Sequence, residues 1–320
     1  MRAPFLLLIS GCFVPMLSPL AAQTDDFDDN DDTGWTHFDP IGTATGQPFA
    51  AVAVEAGLYH LTSPASPDPA QAGPARVAAY RADQSFTDFV IVVDLVSWDD
   101  SLDQAMGILA RLQPDPGPGS LKGYSVNYQA RDHDIEINRL DNEQPVTLKR
   151  VDVNLAPGDA HRLVFTGTGG LLTAAVFSRE EPLKPLITLS AEDETYTAGH
   201  CGIFIYNADS GGAGPADVTF DTYSASAPAV PGLAISAAPA GVTLEWPRAA
   251  SGWRLQESPD LSLWTDITTG GGVSGQNLTL TLPAGAPVTG FYRLKEGWPE
   301  PAPEPLRRPE PRPPGRVPEP

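Results

Sequence analysis

The sequence predicts an all-β protein whose largest part is a two-sheet antiparallel jelly-roll sandwich. Thirteen short segments, rich in β-branched and aromatic residues, follow one another from residue 50 to residue 223 and are separated by Gly, Pro and Asp. No stretch of ten or more residues has helical periodicity. Many short strands at this spacing favour a sandwich over a parallel α/β sheet.

The predicted strands are 50–56, 58–62, 76–80, 89–96, 106–112, 124–130, 135–140, 146–153, 162–166, 171–177, 186–189, 202–206 and 218–223. Alternation of apolar and polar residues is clearest from 104 to 140, as expected of strands with one buried face. The side chains predicted to point inward are Met106, Ile108, Ala110, Leu112, Tyr124, Val126, Tyr128, Ile135 and Ile137. The Pro-rich segments 64–74 and 114–119 are expected to be surface loops.

The opposite side of these strands is polar and rich in amides, so it is a candidate face for a polar ligand. Its predicted members are Arg111, Ser125, Asn127, Gln129, Arg131, Glu136 and Asn138. Trp98 is a candidate for stacking on a sugar ring. His133, in the loop between two of these strands, is either a turn residue or a site residue.

Charge excludes two classes of partner. The chain carries a formal net charge of -20, and residues 23–226 contain 31 acidic against 11 basic residues. A surface that binds phosphate needs a basic footprint, so nucleic acid and anionic membranes are not expected partners.

Residues 1–22 combine Arg2, an apolar run and small residues, which is typical of a signal peptide cleaved after Ala22. The alternative is a lipoprotein anchored at Cys12, for which the preceding apolar run is short. No other segment is long and apolar enough to span a membrane. The mature protein is expected to be secreted or held at the cell surface or in the periplasm. Cys201 is then its only thiol and is expected to be a small core residue.

Six of the eight residues from Asp25 to Asp32 are Asp. This segment is either a solvated N-terminal tail or a calcium loop, because Asp28, Asn30 and Asp32 alternate as oxygen ligands do. The loop does not match an EF-hand, so a ligand from a distant strand, such as Asp221, is expected to complete the site. No other cofactor is expected.

The succession of "DDFDDND", "DFVIVVD", "GILAR" and "GYSVN", closed by "VTFD", resembles the laminin-G-like or concanavalin-like domains of secreted bacterial proteins. The resemblance covers about 200 residues and implies the jelly-roll fold more than an activity.

One branch of that superfamily, the 3-keto-glycoside hydrolase domain, has a similar strand pair. Arg111 matches its arginine and Asn127 lies where its glutamine would, but Ser125 replaces its glutamate. The glucanase branch has alternating Glu, Asp and Glu, and here Asp134, Glu136 and Asn138 alternate instead. Glycosidases usually need two carboxyl groups, so Glu136 and Asp134 are the catalytic candidates. Because neither branch's pattern is matched in full, catalysis is not the favoured expectation.

The predicted organisation is a signal peptide (1–22), a jelly-roll domain (23–226), a linker (227–232), a small β module (233–296) and a Pro-rich disordered tail (297–320). The module resembles fibronectin-III-like modules through "LEW", "WRLQESPDLSLW" and "FYRL" and implies a spacer or cell-surface attachment. Its three Trp, 246, 253 and 264, are expected in the core. The tail has ten Pro in its last 22 residues.

The sequence contains no phosphate-binding loop, no zinc-protease motif and no nucleophile elbow. Three functions remain. The favoured one is a secreted, non-catalytic carbohydrate-binding or adhesive protein that recognises a polysaccharide or glycan on the polar face. The alternatives are a glycoside hydrolase or polysaccharide lyase, and a structural surface protein without a small ligand.

Overall fold

The computed structural model describes residues 22–68, 70, 73–207, 215–238, 241–248, 252–275, 277–283 and 290–297. The predicted signal peptide, including Cys12, and the predicted Pro-rich tail lie almost wholly outside these residues. Within the described part of the chain, no helix is long and apolar enough to cross a membrane.

The chain forms antiparallel strands in both of its parts. The first part contains β1 (Gln23–Asp25), β2 (Trp35–Phe38), the short helix α1 (Pro40–Thr45), β3 (Ala51–Glu55), β4 (Leu58–Ser63), β5 (Arg76–Phe86), β6 (Phe89–Trp98), β7 (Gln104–Leu112), β8 (Gly123–Gln129), β9 (Asp134–Asp141), β10 (Gln144–Asp152), β11 (His161–Thr168), β12 (Leu171–Ser178), β13 (Pro185–Glu192), β14 (Gly199–Asn207) and β15 (Ala216–Ser226). The second part contains β16 (Ala234–Ala238), β17 (Gly241–Pro247), β18 (Trp253–Ser258), β19 (Thr265–Asp266), β20 (Gly271–Ser274), β21 (Asn277–Pro283) and β22 (Phe291–Glu296).

Two sheets make up the first part. The back sheet has the order β13-β12-β11-β6-β15-β4-β3, with β1 added on β15, and the front sheet has the order β10-β9-β8-β7-β14-β5-β2. Neighbours such as β7 and β14 are far apart in sequence, which is typical of Greek-key connections. The predicted all-β jelly-roll sandwich is confirmed.

One apolar core fills the space between the two sheets. It contains every residue predicted to point inward from the 104–140 stretch except Leu112. Cys201 is a buried free thiol of this core, as expected, and burial raises its pKa to about 12. The period-two pattern therefore identified the buried face of the front sheet correctly at all but one position.

The second part packs a four-stranded sheet, β16-β17-β21-β20, and a three-stranded sheet, β19-β18-β22, around a small apolar cluster. Trp246 lies in this core and Trp253 packs against it. Trp264 instead lies under the guanidinium of Arg293, 4.0 Å from its ring centroid. The resemblance of this second part to a fibronectin-III module stays a prediction.

The two parts meet at a buried carboxylate of the back sheet. Asp94 of β6 accepts a hydrogen bond from Arg162 Nε (3.2 Å) and another from Arg248, which follows β17 (2.5 Å). Leu183, between β12 and β13, packs against the core of the second part. Because all three charged groups are buried, we expect the removal of any one of them to destabilise the protein, since a buried charge would lose its partner.

Candidate functional site

Strand register aligns five residues in a row across the front sheet. Arg150 of β10 is opposite Glu136 of β9, and Glu136 is opposite Asn127 of β8. Gly107 of β7 follows Asn127, and Phe204 of β14 follows Gly107. Residues of one row share a face because side chains alternate along each strand. The row runs from a charged edge, over an amide and a glycine, to an aromatic ring.

A hollow of about 230 Å³ lies on this face, and we call it the trough. Its lining consists of Ala105, Ser125, Asn127, Gln129, Glu136, Asn138, Leu140, Glu143, Pro145, Thr147, Arg150, Phe204 and Tyr206. The trough therefore brings together five residues of the predicted polar face, which are Ser125, Asn127, Gln129, Glu136 and Asn138. That they bind a ligand stays a prediction.

Hydrogen bonds fix the amides of the trough floor. Asn127 Oδ1 accepts from Ser125 Oγ (3.1 Å) and from Asn138 Nδ2 (2.9 Å). Asn138 Nδ2 also donates to Glu136 (3.1 Å), and the buried Oδ1 atom of Asn138 has no hydrogen-bond partner among the described residues. A buried polar atom without a partner costs stability unless a ligand or water satisfies it. The trough floor is thus preorganised, and Asn138 Oδ1 is an acceptor that a ligand can use.

Two carboxylates lie beneath the charged edge. Glu136 is 3% exposed, is ion-paired with Arg150 and accepts a further bond from Gln129 (3.3 Å). Asp134 is also buried, and its Oδ2 lies 3.4 Å from Arg150 Nε. Burial raises the pKa of Asp134 to about 6, Arg150 opposes the rise, and the nearby Glu136, Asp132 and Asp152 add to it. One guanidinium therefore serves two buried carboxyl groups.

The aromatic wall of the trough was not predicted. Phe204 and Tyr206 of β14 are half-buried and point outward, while Ile203 and Ile205 point into the core. The same alternation is present in the sequence, but nothing local relates these two rings to Asn127 and Glu136, which lie more than 60 residues earlier in the chain. Position 107 has no space for a side chain, because a Cβ added to Gly107 would lie 2.0 Å from the carbonyl oxygen of Val126.

The expectation of a polar outer face on the strands of residues 104–140 is wrong for β7, which carries Leu109 and Leu112 there. An apolar cluster of Phe38, Ala78, Tyr80, Leu109, Leu112 and Leu121 occupies the outer side of β2, β5 and β7. Leu121 comes from the loop between β7 and β8, which contains the predicted surface segment 114–119. The loop therefore covers this half of the face, while the half formed by β8, β9 and β10 carries the trough.

Arg111 does not belong to the polar face, which corrects the prediction. Its side chain is buried and donates to the carbonyl oxygens of Thr87 (2.8 Å), Gly169 (2.8 Å) and Tyr196 (3.0 Å). The register of β14 against β7 shifts between His200 and Gly202, and Arg111 has a φ of 47°. A β-bulge of this kind reverses the alternation. The predicted inward Leu112 consequently lies in the outer cluster.

Three further candidates lie away from the trough lining. Trp98 is buried, its ring packs against Tyr128 and His161, and its Nε1 donates to Asp100, so it cannot stack on a ligand and that prediction is wrong. His133 is in the turn after β8, with Nδ1 3.1 Å from Tyr128 Oη. Arg131, in the same turn, is paired with Asp103 (2.8 Å).

The calcium candidates lie in two places in the fold. Asp28, Asn30 and Asp32 are in the loop between β1 and β2, where Asn30 Oδ1 accepts from Gly57 N (3.0 Å) and Asp32 contacts His37 (2.8 Å). Asp221 is in β15, opposite Asp94. Among the described residues, no group of three or more His, Cys, Asp or Glu could hold a metal ion. Calcium binding stays a prediction.

No protein-family model and no curated protein matches this chain. Solved structures with a similar fold include a carbohydrate-binding module, CBM66, from Bacillus subtilis (15% identity, 61% of this chain and 96% of that chain, TM-score 0.43). Others are a prokaryotic β-1,3-1,4-glucanase from a mouse hindgut metagenome (13%, 64% and 98%, 0.47) and the lectin UEA-II complexed with galactose (12%, 65% and 99%, 0.46). At these identities and TM-scores, the similarity concerns the sandwich alone and does not indicate what this chain binds.

Proposed function

We propose that the trough binds an uncharged, hydroxyl-rich glycan without cleaving it. The observation that carries the proposal is one hollow with a floor of fixed amides and a wall of two aromatic rings. A sugar ring presents hydroxyl groups at its edge and C–H groups on its faces. Amides match the first by hydrogen bonds, and aromatic rings match the second by packing.

Charge favours an uncharged glycan over an acidic one. Arg150, the one cation among the described residues that line the trough, is already engaged by Glu136 and lies close to Asp134. The surrounding domain is strongly acidic and repels anions. A polymer of uronic acids or sulfated sugars would therefore meet like charge without a free cation to offset it.

Retention on neutral polysaccharides, with Gln129→Ala as the variant, tests this proposal. Gln129 is half-buried in the trough, so its loss should weaken binding by about tenfold, the equivalent of one hydrogen bond. Gln84→Ala is the matched control, because Gln84 is a half-buried glutamine of the same sheet outside the trough lining. Equal retention of both variants would remove the trough as the binding site. Failure of the wild type to bind any glycan would favour a structural surface protein.

A glycoside hydrolase is the second candidate, because Asp134 combines burial, a pKa near 6 and a neighbouring carboxylate. Glycosidases use one carboxyl group with a raised pKa and a second carboxylate. Against it, Glu136 is held by Arg150, Gln129 and Asn138. Release of reducing sugar by the wild type that Asp134→Asn abolishes would favour the hydrolase. Retention of a polysaccharide without release would favour binding alone.

We propose that the protein reaches the cell surface or exterior through the signal peptide and that the second part serves in attachment. N-terminal sequencing of the exported protein should give Gln23 as the first residue. Lipid attached to Cys12 would replace this proposal by the lipoprotein alternative.

A further inference from the structure

A second hollow, of about 440 Å³, adjoins the trough on the front sheet. It lies between α1, the start of β5, the loop before β8 and the turn between β9 and β10. Its lining shares Glu143, Pro145 and Tyr206 with the trough. Two further amides, Asn142 and Gln144, are exposed beside it. The second hollow thus repeats the combination of amides with an apolar wall.

An ion pair crosses the face where the two hollows meet. Arg76, at the start of β5, is paired with Glu143, in the turn between β9 and β10, and both side chains are largely buried. Three strands, β8, β7 and β14, separate β9 from β5 in the sheet. Four strand spacings correspond to about 19 Å, far more than two side chains can reach over a flat sheet. The turn must therefore fold over the face to meet Arg76.

Backbone contacts hold the folded turn in place. Asn142 and Glu143 have φ of 55° and 65°, the left-handed pair that closes a tight hairpin. Glu143 N donates to Leu121 O (2.8 Å), and Glu143 Oε1 accepts from Gly119 N. Beneath the ion pair lies an apolar pit lined in part by Leu109, Leu140 and Phe204. The bridge therefore lies where the two hollows meet, and its Glu143 lines both of them.

We propose that the trough and the second hollow together form one site for a linear, uncharged oligosaccharide. The Arg76–Glu143 bridge lies at the boundary between the two hollows of this site. This inference rests on the proposed function of the trough and adds the shape of the ligand. A chain long enough to pass Tyr206 gains the amides of the second hollow, whereas a short one fills the trough alone. Affinity then depends on chain length as well as on sugar chemistry.

Calorimetric titration with cello-, laminari- and manno-oligosaccharides of two to six units tests the proposal. For the series that binds, the affinity of the six-unit chain should exceed that of the two-unit chain by tenfold or more, as one or two added hydrogen bonds would give. Ala44→Trp should abolish this gain without weakening the two-unit chain, because Ala44 is exposed and lines only the second hollow. Gln144→Ala, at an exposed position, should reduce the gain without risk to folding.

Ala51→Trp is the matched control, since Ala51 is an exposed alanine outside the lining of both hollows. Affinity that Gln129→Ala weakens but that does not rise with length would overturn the two-hollow site and leave the trough proposal standing. A length-dependent gain that Ala44→Trp and Gln144→Ala both leave intact would also overturn it. Failure of every oligosaccharide to bind the wild type would overturn both proposals.

Discussion

The two halves of the front sheet's outer face have the same alternation of side chains, but one half carries the trough and the other is apolar and covered by a loop. On β8, β9 and β10 the outward side chains that line the trough are mostly polar, with the amides and Glu136 on β8 and β9 and Arg150 on β10. On β2, β5 and β7 the outward side chains are mostly apolar, and the loop before β8 packs Leu121 onto them. The boundary falls between cross-strand partners, Ser125 on β8 and Leu109 on β7. What an outward position does is decided by the side chain it carries and by what covers it.

The largest expected effect tests this boundary directly. Leu109→Ala should lower the free energy of unfolding by about 2–5 kcal/mol, because it leaves a cavity under Leu121. Ser125→Ala, one strand away, should cost about 1 kcal/mol, the contribution of its hydrogen bond to Asn127. Urea denaturation measures both. Similar losses for the two variants would mean that the halves do not differ in structural role.

A smaller effect should appear as a pH dependence of the free energy of unfolding, caused by Asp134 in the polar half. Burial raises the pKa of Asp134 to about 6 in the folded protein, above the ordinary value of 3.8. The folded state then binds the proton more tightly, so this group's contribution is fully present below pH 4 and is lost as pH rises through 6. The loss amounts to about 2–3 kcal/mol.

Asp134→Asn should remove that dependence. The difference in unfolding free energy between wild type and Asp134→Asn, followed from pH 4 to pH 7.5, should therefore change in favour of the variant as pH rises. Asp217→Asn, outside the front sheet, removes another partly buried aspartate with a raised pKa and serves as a positive control, because it should show the same direction of change. A constant difference for Asp134→Asn would mean that Arg150 fully offsets the cost of burial.

The smallest expected change concerns the residue shared by both halves. Phe204 packs against the apolar cluster and also lines the trough. Because it is half-buried, Phe204→Ala should cost about 1–2 kcal/mol of stability, less than the loss for a fully buried ring. It should weaken glycan binding about tenfold, whereas Phe204→Tyr, which keeps the ring, should retain most of the affinity. Denaturation and titration of the same samples separate the two effects.

Much of the trough could be predicted because its floor lies within 40 consecutive residues. Asn127, Gln129, Glu136 and Asn138 alternate with buried partners on two strands joined by a short turn, so local periodicity already placed them on one face. Phe204 and Tyr206 show the same alternation, but nothing local indicates that β14 is the neighbour of β7. That pairing is long-range and becomes visible only in the folded sheet.

The sequence by itself determined the strands, the inward and outward sides of most of them, and the amide-rich floor, because a period of two is a local property of extended backbone. Tertiary structure alone decided three things. The bulge at Arg111 exchanged the sides of Arg111 and Leu112, the loop before β8 covered one half of the face, and Glu143 reached Arg76 across three intervening strands. Each depends on contacts between segments that are far apart in the chain, and the local pattern of side chains does not indicate such contacts.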